Sequence, residues 1–346
     1  MTIPDNVQFA SDPAEALKAF FSARKYSQIL VLTDENTKRH CYPLIAGTLS
    51  GVNTIDIKSG EEQKNLQTCI GIWQNLTDRL VDRHGCLVVL GGGVLGDMGG
   101  FCAATYKRGI DFVLIPTTLL SQCDASIGGK LGVDFNHFKN HIGVFCQPAL
   151  TLLHSGFLNT LPRHELRSGF ADIIKHTLIS DKTMWKQVSS RNLESQPWDE
   201  LVRHSVEFKA RVTTEDPTEK GLRKILNAGH TIGHALETHL LNRGLQVTHG
   251  EAVAAGLIAE GYIANTRGLL ATEELQEIAR YISSVYPKIN IDEEAETAIC
   301  QLILQDKKNK GNKILCVLLN GIGHATWDYE INVEEVKNAL TFYQTL

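Results

Sequence analysis

Cys86 to Leu90 (CLVVL) is an unbroken run of β-forming apolar residues, and the chain leaves it through GGGVLGD, Gly91 to Asp97. A strand that is apolar at every position must be covered on both faces, which makes it a central strand of a parallel sheet. Gly91, Gly93 and Gly96 satisfy G-x-G-x-x-G, and an apolar helical pattern follows. Bare backbone amides and a helix N-terminus therefore meet where a pyrophosphate can be cradled. Taken alone, the pattern is also met by a glycine-rich turn that only tightens a strand-to-helix connection.

The neighbouring segments continue the alternation. Gln28 to Leu32, Asn53 to Ile57 and Phe112 to Ile115 are short apolar strand patterns, and Glu62 to Asp82 carries Leu66, Ile70, Trp73, Leu76 and Leu80 at helical steps. This order predicts a parallel, doubly wound α/β sheet. Beyond Leu153 the pattern changes to successive helices, at Pro162 to Ile179, Leu201 to Val212, Leu226 to Leu240, Gly250 to Thr266 and Glu273 to Val285. Only Lys313 to Leu319 and Gly323 to Trp327 read as strands there, joined by the turn signal Asn320-Gly321. The boundary is expected between residues 153 and 160, giving an α/β domain over 1–155 and a mostly helical one over 156–346. The 346 residues suit two domains.

Charge narrows the partners. With 34 basic and 39 acidic side chains the formal charge is −5, and no basic stripe of the kind that binds a phosphate backbone is present. Nucleic acid is not expected. No apolar run reaches the roughly 20 residues that span a bilayer, and the start MTIPDNVQFASDPAEAL lacks a signal pattern. The eight cysteines are dispersed and never form C-x-x-C, as expected of reduced core residues in the cytoplasm.

The second half holds the more specific chemistry. In RKILNAGHTIGHALE, Arg223, Asn227, His230 and His234 recur at steps of four, three and four, so a continuous helix would point all four one way. A lone histidine in such a place is usually structural, whereas two at i and i+4 beside Arg and Asn favour a ligand or catalytic face. His249 opens the next helix in THGEAV. Asp172 and Lys175 lie three apart in FADIIKH. Their plain reading is an exposed pair contributing a few tenths of a kcal/mol, but the intervening Ile173 and Ile174 are candidates for burial. One carboxylate and two histidines match an open metal site with two imidazole ligands and one carboxylate, for zinc or a similar ion. Arg108, Lys130, Lys175, Lys209, Arg223 and Lys307 supply many cations, either scattered over the surface or gathered for a polyhydroxylated, strongly anionic substrate.

These segments together resemble the 3-dehydroquinate synthases, within the wider group of sugar phosphate cyclases. The similarity runs through GEEQK, GGGVLGDMGGFCAATYKRG, PTTLLSQCDASIGGK, KNHIGVFCQP, TLPRHELRSGFADIIKH, LNAGHTIGHALE, HGEAV and DKKNKGNKILCVLL. It implies a Rossmann-like NAD-binding domain followed by a mostly α-helical metal-binding domain, usually in a homodimer. Carried over by position, it places NAD contacts on Asp34, Glu61, Lys64, Gly92, Gly93, Asp97, Thr117, Thr118, Asp124, Lys139 and Thr160. The implied ligands of one divalent ion, zinc or cobalt, are Asp172, His230 and His249. Substrate contacts fall on Arg108, Lys130, Asn140, Lys175, Lys209, Arg223, Asn227, His234 and Lys307; of these Lys130, Lys175, Arg223, Asn227 and His234 are the catalytic candidates, with His234 the candidate proton shuttle.

The implied reaction converts 3-deoxy-D-arabino-heptulosonate 7-phosphate to 3-dehydroquinate and phosphate. It proceeds by transient oxidation with NAD, phosphate elimination, re-reduction, ring opening and aldol closure. Lys209 with Arg223 would hold the carboxylate, a group that the alternative cyclase substrates sedoheptulose 7-phosphate and glucose 6-phosphate lack. A metal-dependent polyol dehydrogenase would instead release NADH, and a metabolite sensor would not turn over. The chain departs from the family at two places. Asp172 stands where the family has glutamate, shortening the reach by roughly 1.5 Å, and Ala228 stands where an aromatic residue usually precedes Gly229-His230.

Overall fold

Apolar runs and helical patterns resolve, in a computed structural model of the chain that describes residues 3–49, 51–136, 138–304 and 313–346, into eight strands and then a helical assembly. The strands are β1 (Val7–Phe9), β2 (Ile29–Asp34), β3 (Asn53–Ile57), β4 (Cys86–Gly91), β5 (Asp111–Pro116), β6 (Lys130–Phe135), β7 (Phe138–Phe145) and β8 (Leu150–Leu153). Six of them form a sheet in the order β1-β8-β5-β4-β2-β3, every pair parallel, while β6 and β7 pair antiparallel as a separate hairpin. The chain divides into two compact units, Met1–Pro162 and Arg163–Leu346.

In the first unit both faces of the sheet are covered, as the unbroken apolar strands require. Leu30, Leu32, Leu87, Val89, Phe112 and Leu114 pack under the helices Leu66–Asp78 and Gly93–Thr105. The alternate residues Val31, Val88, Leu90, Val113 and Ile115 meet Leu17 and Phe20 of the helix Pro13–Ser22 on the other face. From β2 the chain goes first to its neighbour β3 and then returns to β4 on the other side. That reversal opens a crevice at the carboxyl ends of β2 and β4, the usual ligand position in such sheets.

The close approach of the helix Gly93–Thr105 to the sheet rests on two glycines that follow the motif. A Cβ on Gly99 would lie 2.7 Å from Leu32 and 2.9 Å from Val89, and one on Gly100 would lie 2.5 Å from Leu131. These two glycines, one turn later, allow the helix its close approach to the sheet. Gly96 has nothing within 4 Å of its Cβ position. It opens onto space instead of packing.

The second unit is built on the helix His249–Thr266, which is buried along most of its length. A helix that is apolar all round belongs in the middle of a bundle, and this one packs against the helices Arg163–Ser180, His230–Asn242, Thr272–Val285 and Val333–Thr345. Its small residues set the spacing. A Cβ on Gly250 would lie 2.0 Å from the Ser168 carbonyl oxygen, and one on Gly256 2.0 Å from that of Gly229. The remaining strands, β9 (Ile314–Leu319) and β10 (Ala325–Ile331), form an antiparallel hairpin with Gly321 in the left-handed region at φ 74°.

One expected helix is interrupted. Leu226 to Leu240 is not continuous: Leu222–Asn227 is a 3-10 turn, Gly229 has φ 77°, and the α-helix begins only at His230 and ends at Asn242. The common face proposed for Arg223, Asn227, His230 and His234 therefore does not exist as one helical stripe. The left-handed glycine changes direction between the first pair and the second. No helix of the described residues is long and apolar enough to cross a membrane.

Candidate active site

The first unit holds a shallow pocket at the carboxyl ends of β4 and β5, lined by Gly91, Gly92, Gly93, Gly96, Asp97 and Lys130 among others. Gly92 is the N-cap of the helix Gly93–Thr105, and a Cβ there would come within 2.9 Å of Thr118 Cγ2. Bare backbone at a helix N-terminus, with Gly96 open beside it, leaves room for a phosphate-bearing ligand to approach the amides. Bare amides at a helix N-terminus are the donor set that suits the pyrophosphate of a dinucleotide.

The other residues expected around that ligand sit at strand ends or in the following loops. Asp34 ends β2, but its carboxylate accepts the Thr37 amide at 2.7 Å and caps the helix Glu35–His40. Lys64 is buried and donates to Asp97 at 2.6 Å. Buried Thr117 donates its amide to the Gly91 carbonyl, and Thr118 joins Ser121 through their hydroxyls at 2.9 Å. Asp124 lies in the turn Ser121–Ala125. Glu61 and Lys139 face each other at 3.7 Å, both half exposed, and Thr160 is exposed at the end of the turn Ser155–Thr160. Arg108 and Asn140 are exposed with φ of 69° and 50°.

In the second unit three imidazoles converge. The rings of His230 and His234 lie 4.8 Å apart, those of His230 and His249 5.3 Å, and those of His234 and His249 5.5 Å. Their nearest ring nitrogens all lie within 4.8 Å of one another. His230 and His234 are i,i+4 on the first turns of their helix, and His249 is the first residue of the next, held by the Thr248–Glu251 capping box. Arg167 also donates to Glu251, which ties that helix start to the helix carrying Asp172.

Hydrogen bonds fix which nitrogen each ring presents. His230 Nδ1 donates to the Ala228 carbonyl at 3.0 Å, and His249 Nδ1 donates to Glu237 Oε2 at 3.1 Å. Both rings thereby offer Nε2 with its lone pair to the cluster, the arrangement typical of imidazole ligands. Burial alone would depress the pKa of His249, but the hydrogen bond and charge of Glu237, with Asp172 nearby, raise it above its ordinary value. Imidazole nitrogens backed by a carboxylate fit a divalent ion, whose binding would displace the proton from His249. Buried Glu260 accepts the Gly229 and Ile232 amides at 2.6 and 3.1 Å, and so locks the turn from which His230 projects.

Glu237 and Glu260 were not among the residues expected from the sequence. Each is a lone carboxylate inside an apolar helical run, a signal that is present in the sequence. Glu237→Gln should lower zinc affinity by about 10- to 100-fold while the apo-protein melts within a few degrees of wild type. Competition against a zinc-binding dye measures the first and calorimetry the second.

The remaining expected residues of this unit lie around the cluster's helices. Asp172 and Lys175 are both buried and paired, with Lys175 Nζ donating to Asp172 Oδ1; the exposed-pair reading does not hold. Asp172 Oδ2 is buried without a hydrogen-bond partner among the described residues. Lys209 is buried on the helix Trp198–Glu215, which packs against both the helix Arg163–Ser180 and the turn carrying Arg223. Arg223 is buried and donates Nη1 to the Pro217 carbonyl at 2.9 Å, and Asn227 donates to Glu219 at 2.8 Å. Lys307 lies outside the described residues.

A parallel-sheet unit with a glycine-lined pocket and a helical unit with a histidine cluster define an enzyme scaffold of the dinucleotide-and-metal class. The family models described as 3-dehydroquinate synthase N-terminal and 3-dehydroquinate synthase C-terminal match residues 54–168 and 169–309. A 3-dehydroquinate synthase of Parabacteroides distasonis is 36% identical over 343 residues, covering 98% of this chain and 97% of its own. One of Campylobacter concisus is 40% identical over 286 residues, covering 83% and 82%. Among solved structures, a 2-epi-5-epi-valiolone synthase from Streptomyces hygroscopicus subsp. jinggangensis 5008, with NAD+ and Zn2+ bound, superposes with a TM-score of 0.86 at 26% identity over 100% of this chain and 98% of that one. The chain belongs to the 3-dehydroquinate synthase family and is an enzyme of that type.

Proposed function

We propose that the protein converts 3-deoxy-D-arabino-heptulosonate 7-phosphate to 3-dehydroquinate and inorganic phosphate, using NAD and one divalent ion. The observation that carries this reading is the 36% identity to a 3-dehydroquinate synthase over 98% of the chain. When bound, the ion would acidify a substrate hydroxyl, and NAD would take a hydride from that carbon and return it after phosphate has left.

The chain's own residues would hold one substrate through every step. The amides at Gly92 and Gly93 would bind the pyrophosphate of NAD, with the Lys64–Asp97 pair bracing the first turns of the helix they open. His230 and His249 would present Nε2 to the ion. Lys209 and Arg223, cations kept out of water on neighbouring elements, would form the carboxylate clamp. Lys130 at the pocket edge, Lys175, Asn227, Arg108 and Asn140 are the candidates for the phosphate and hydroxyls. The departing phosphate would itself accept the proton lost from the carbon next to the new ketone. Fixing the reactant among so many polar contacts addresses the orientation problem of a multistep reaction on one molecule.

The same reading includes a homodimer in the cytoplasm. Phe138 and Phe145 are about two-thirds exposed on β7, at 64% and 67%, and suit a second copy of the chain better than water. All eight cysteines are free and seven are buried, which suits a reducing compartment. The substrate assignment is tested by comparing phosphate release from the heptulosonate phosphate, sedoheptulose 7-phosphate and glucose 6-phosphate. The carboxylate-bearing substrate should be preferred, and Arg223→Leu should erase most of that preference. Equal release from all three would remove the clamp from the account.

A further inference from the structure

We propose that Asp216 is the positioning residue of the carboxylate clamp: by gathering the backbone of residues 216–223 around its own carboxylate, it sets where the Arg223 guanidinium points. The proposal rests on the reading above, in which Arg223 with Lys209 holds the substrate carboxylate.

Asp216 stands at the C-cap of the helix Trp198–Glu215, the helix that carries Lys209. Its Oδ1 accepts the Lys220 amide at 3.0 Å, and its Oδ2 accepts the amides of Gly221 at 2.7 Å and Arg223 at 3.1 Å. Hydrogen bonds to an ionised acceptor are shorter and stronger than neutral ones. The Gly221 amide above all, with those of Lys220 and Arg223 and the Arg223 charge, holds the Asp216 carboxyl below its ordinary range, so the group is ionised at neutral pH.

The segment closes on its own arginine. Arg223 Nη1 donates to the carbonyl of Pro217, the residue after Asp216, at 2.9 Å. Amide and guanidinium of Arg223 are thus both tied to residues 216–217. Lys224 Nζ, one residue on, donates to the two Asp328 oxygens at 2.9 and 2.6 Å, which holds the turn Leu222–Asn227 from its other side.

Ending the helix does not require an aspartate. Pro217 already stops it, and a carboxylate at the negative end of an 18-residue helix is electrostatically unfavourable. Three loop amides offset that penalty, and their common acceptor gives the loop its path to Arg223. Arg223 is buried with its fork already oriented, as a planar, bidentate contact with a carboxylate requires.

The test uses the full-length protein loaded with zinc and NAD. Hydrogen exchange should find the Lys220, Gly221 and Arg223 amides protected in the unmodified protein; exchange of Gly221 and Arg223 at the rate of an unstructured chain would overturn the proposal without any variant. In phosphate release from the heptulosonate phosphate, Asp216→Ala should lower kcat/KM by about ten-fold, chiefly through KM. Asp216→Asn should lose less, because its remaining carbonyl oxygen can still accept the Gly221 and Arg223 amides. A positioning residue acts only through its target. In protein that already carries Arg223→Leu, Asp216→Ala should therefore change kcat/KM by less than about two-fold, whereas general damage to the fold would cost the same in both backgrounds. An equal loss in the two backgrounds, or no loss in either, would remove the role from Asp216 and leave the proposed reaction standing. No phosphate release by the unmodified protein, with its three amides protected, would instead sink the proposed reaction and the clamp with it.

Discussion

His249→Ala should cost the protein its divalent ion and its turnover together. His249 is the first residue of the helix His249–Thr266, and its Nδ1 is taken by Glu237, so Nε2 is the atom it can give to a metal. Removing an inner ligand should exceed the 10- to 100-fold loss typical of second-layer changes, so zinc affinity should fall by more than about a hundred-fold. The fold should survive. The Thr248–Glu251 capping box does not use the imidazole, and losing the hydrogen bond to Glu237 should cost about 1–3 kcal/mol, a loss of several degrees in melting temperature at most for a unit of this size. Zinc competition, phosphate release and calorimetry on one preparation separate the two effects. Unchanged zinc affinity would remove His249 from the site.

Gly256→Ala, like Gly250→Ala, should be among the most damaging conservative changes in the second unit. Its added carbon would lie 2.0 Å from the Gly229 carbonyl oxygen and 2.9 Å from the Gly229 carbonyl carbon and the Gly233 nitrogen. All three are backbone atoms, so no side chain can turn aside. Overpacking commonly costs about 1–3 kcal/mol, and contact with rigid backbone puts this case at the upper end or beyond. The displaced element is the left-handed glycine immediately before His230, so zinc affinity should fall along with stability. Gly261→Ala on the same helix provides the control. Its added carbon meets Leu275 at 3.4 Å, an ordinary contact, and alanine's helix propensity should make it neutral or stabilising by up to about 1 kcal/mol. Equal melting temperatures for the two variants would contradict the close-packing account.

Much of this architecture is legible in the chain because burial writes itself as composition. CLVVL and QILVL appear as β4 and most of β2, since a strand covered on both faces can contain little else, while NTIDI appears as the half-exposed edge strand β3. The strands β1, β6, β7 and β8 are not evident: β1 and β8 are three and four residues long, and β7 is largely exposed, so no apolar run marks it. Helices with broad apolar content, such as His249–Thr266, can be read; Lys182–Ser189, Glu293–Leu304 and Val333–Thr345 are shorter or more polar and are not. The break at Gly229 is the most consequential miss. Helical spacing carries on through RKILNAGHTIGH, and only a positive φ, which sequence spacing does not encode, separates Arg223 and Asn227 from the histidines. For the same reason the sequence shows His230, His234 and His249 as candidates but not that their rings form one cluster, which depends on the close packing at Gly250 and Gly256.

The central claim is that NAD is oxidised and restored within each turnover, and it is tested most directly by stoichiometry. Zinc-loaded protein is given the heptulosonate phosphate in large excess over NAD, and phosphate, carbocyclic product and NADH are followed together. The expected result is one phosphate and one 3-dehydroquinate per substrate, many turnovers per NAD, and no accumulation of NADH. Turnover limited to the NAD supplied, with NADH rising in step, would contradict it.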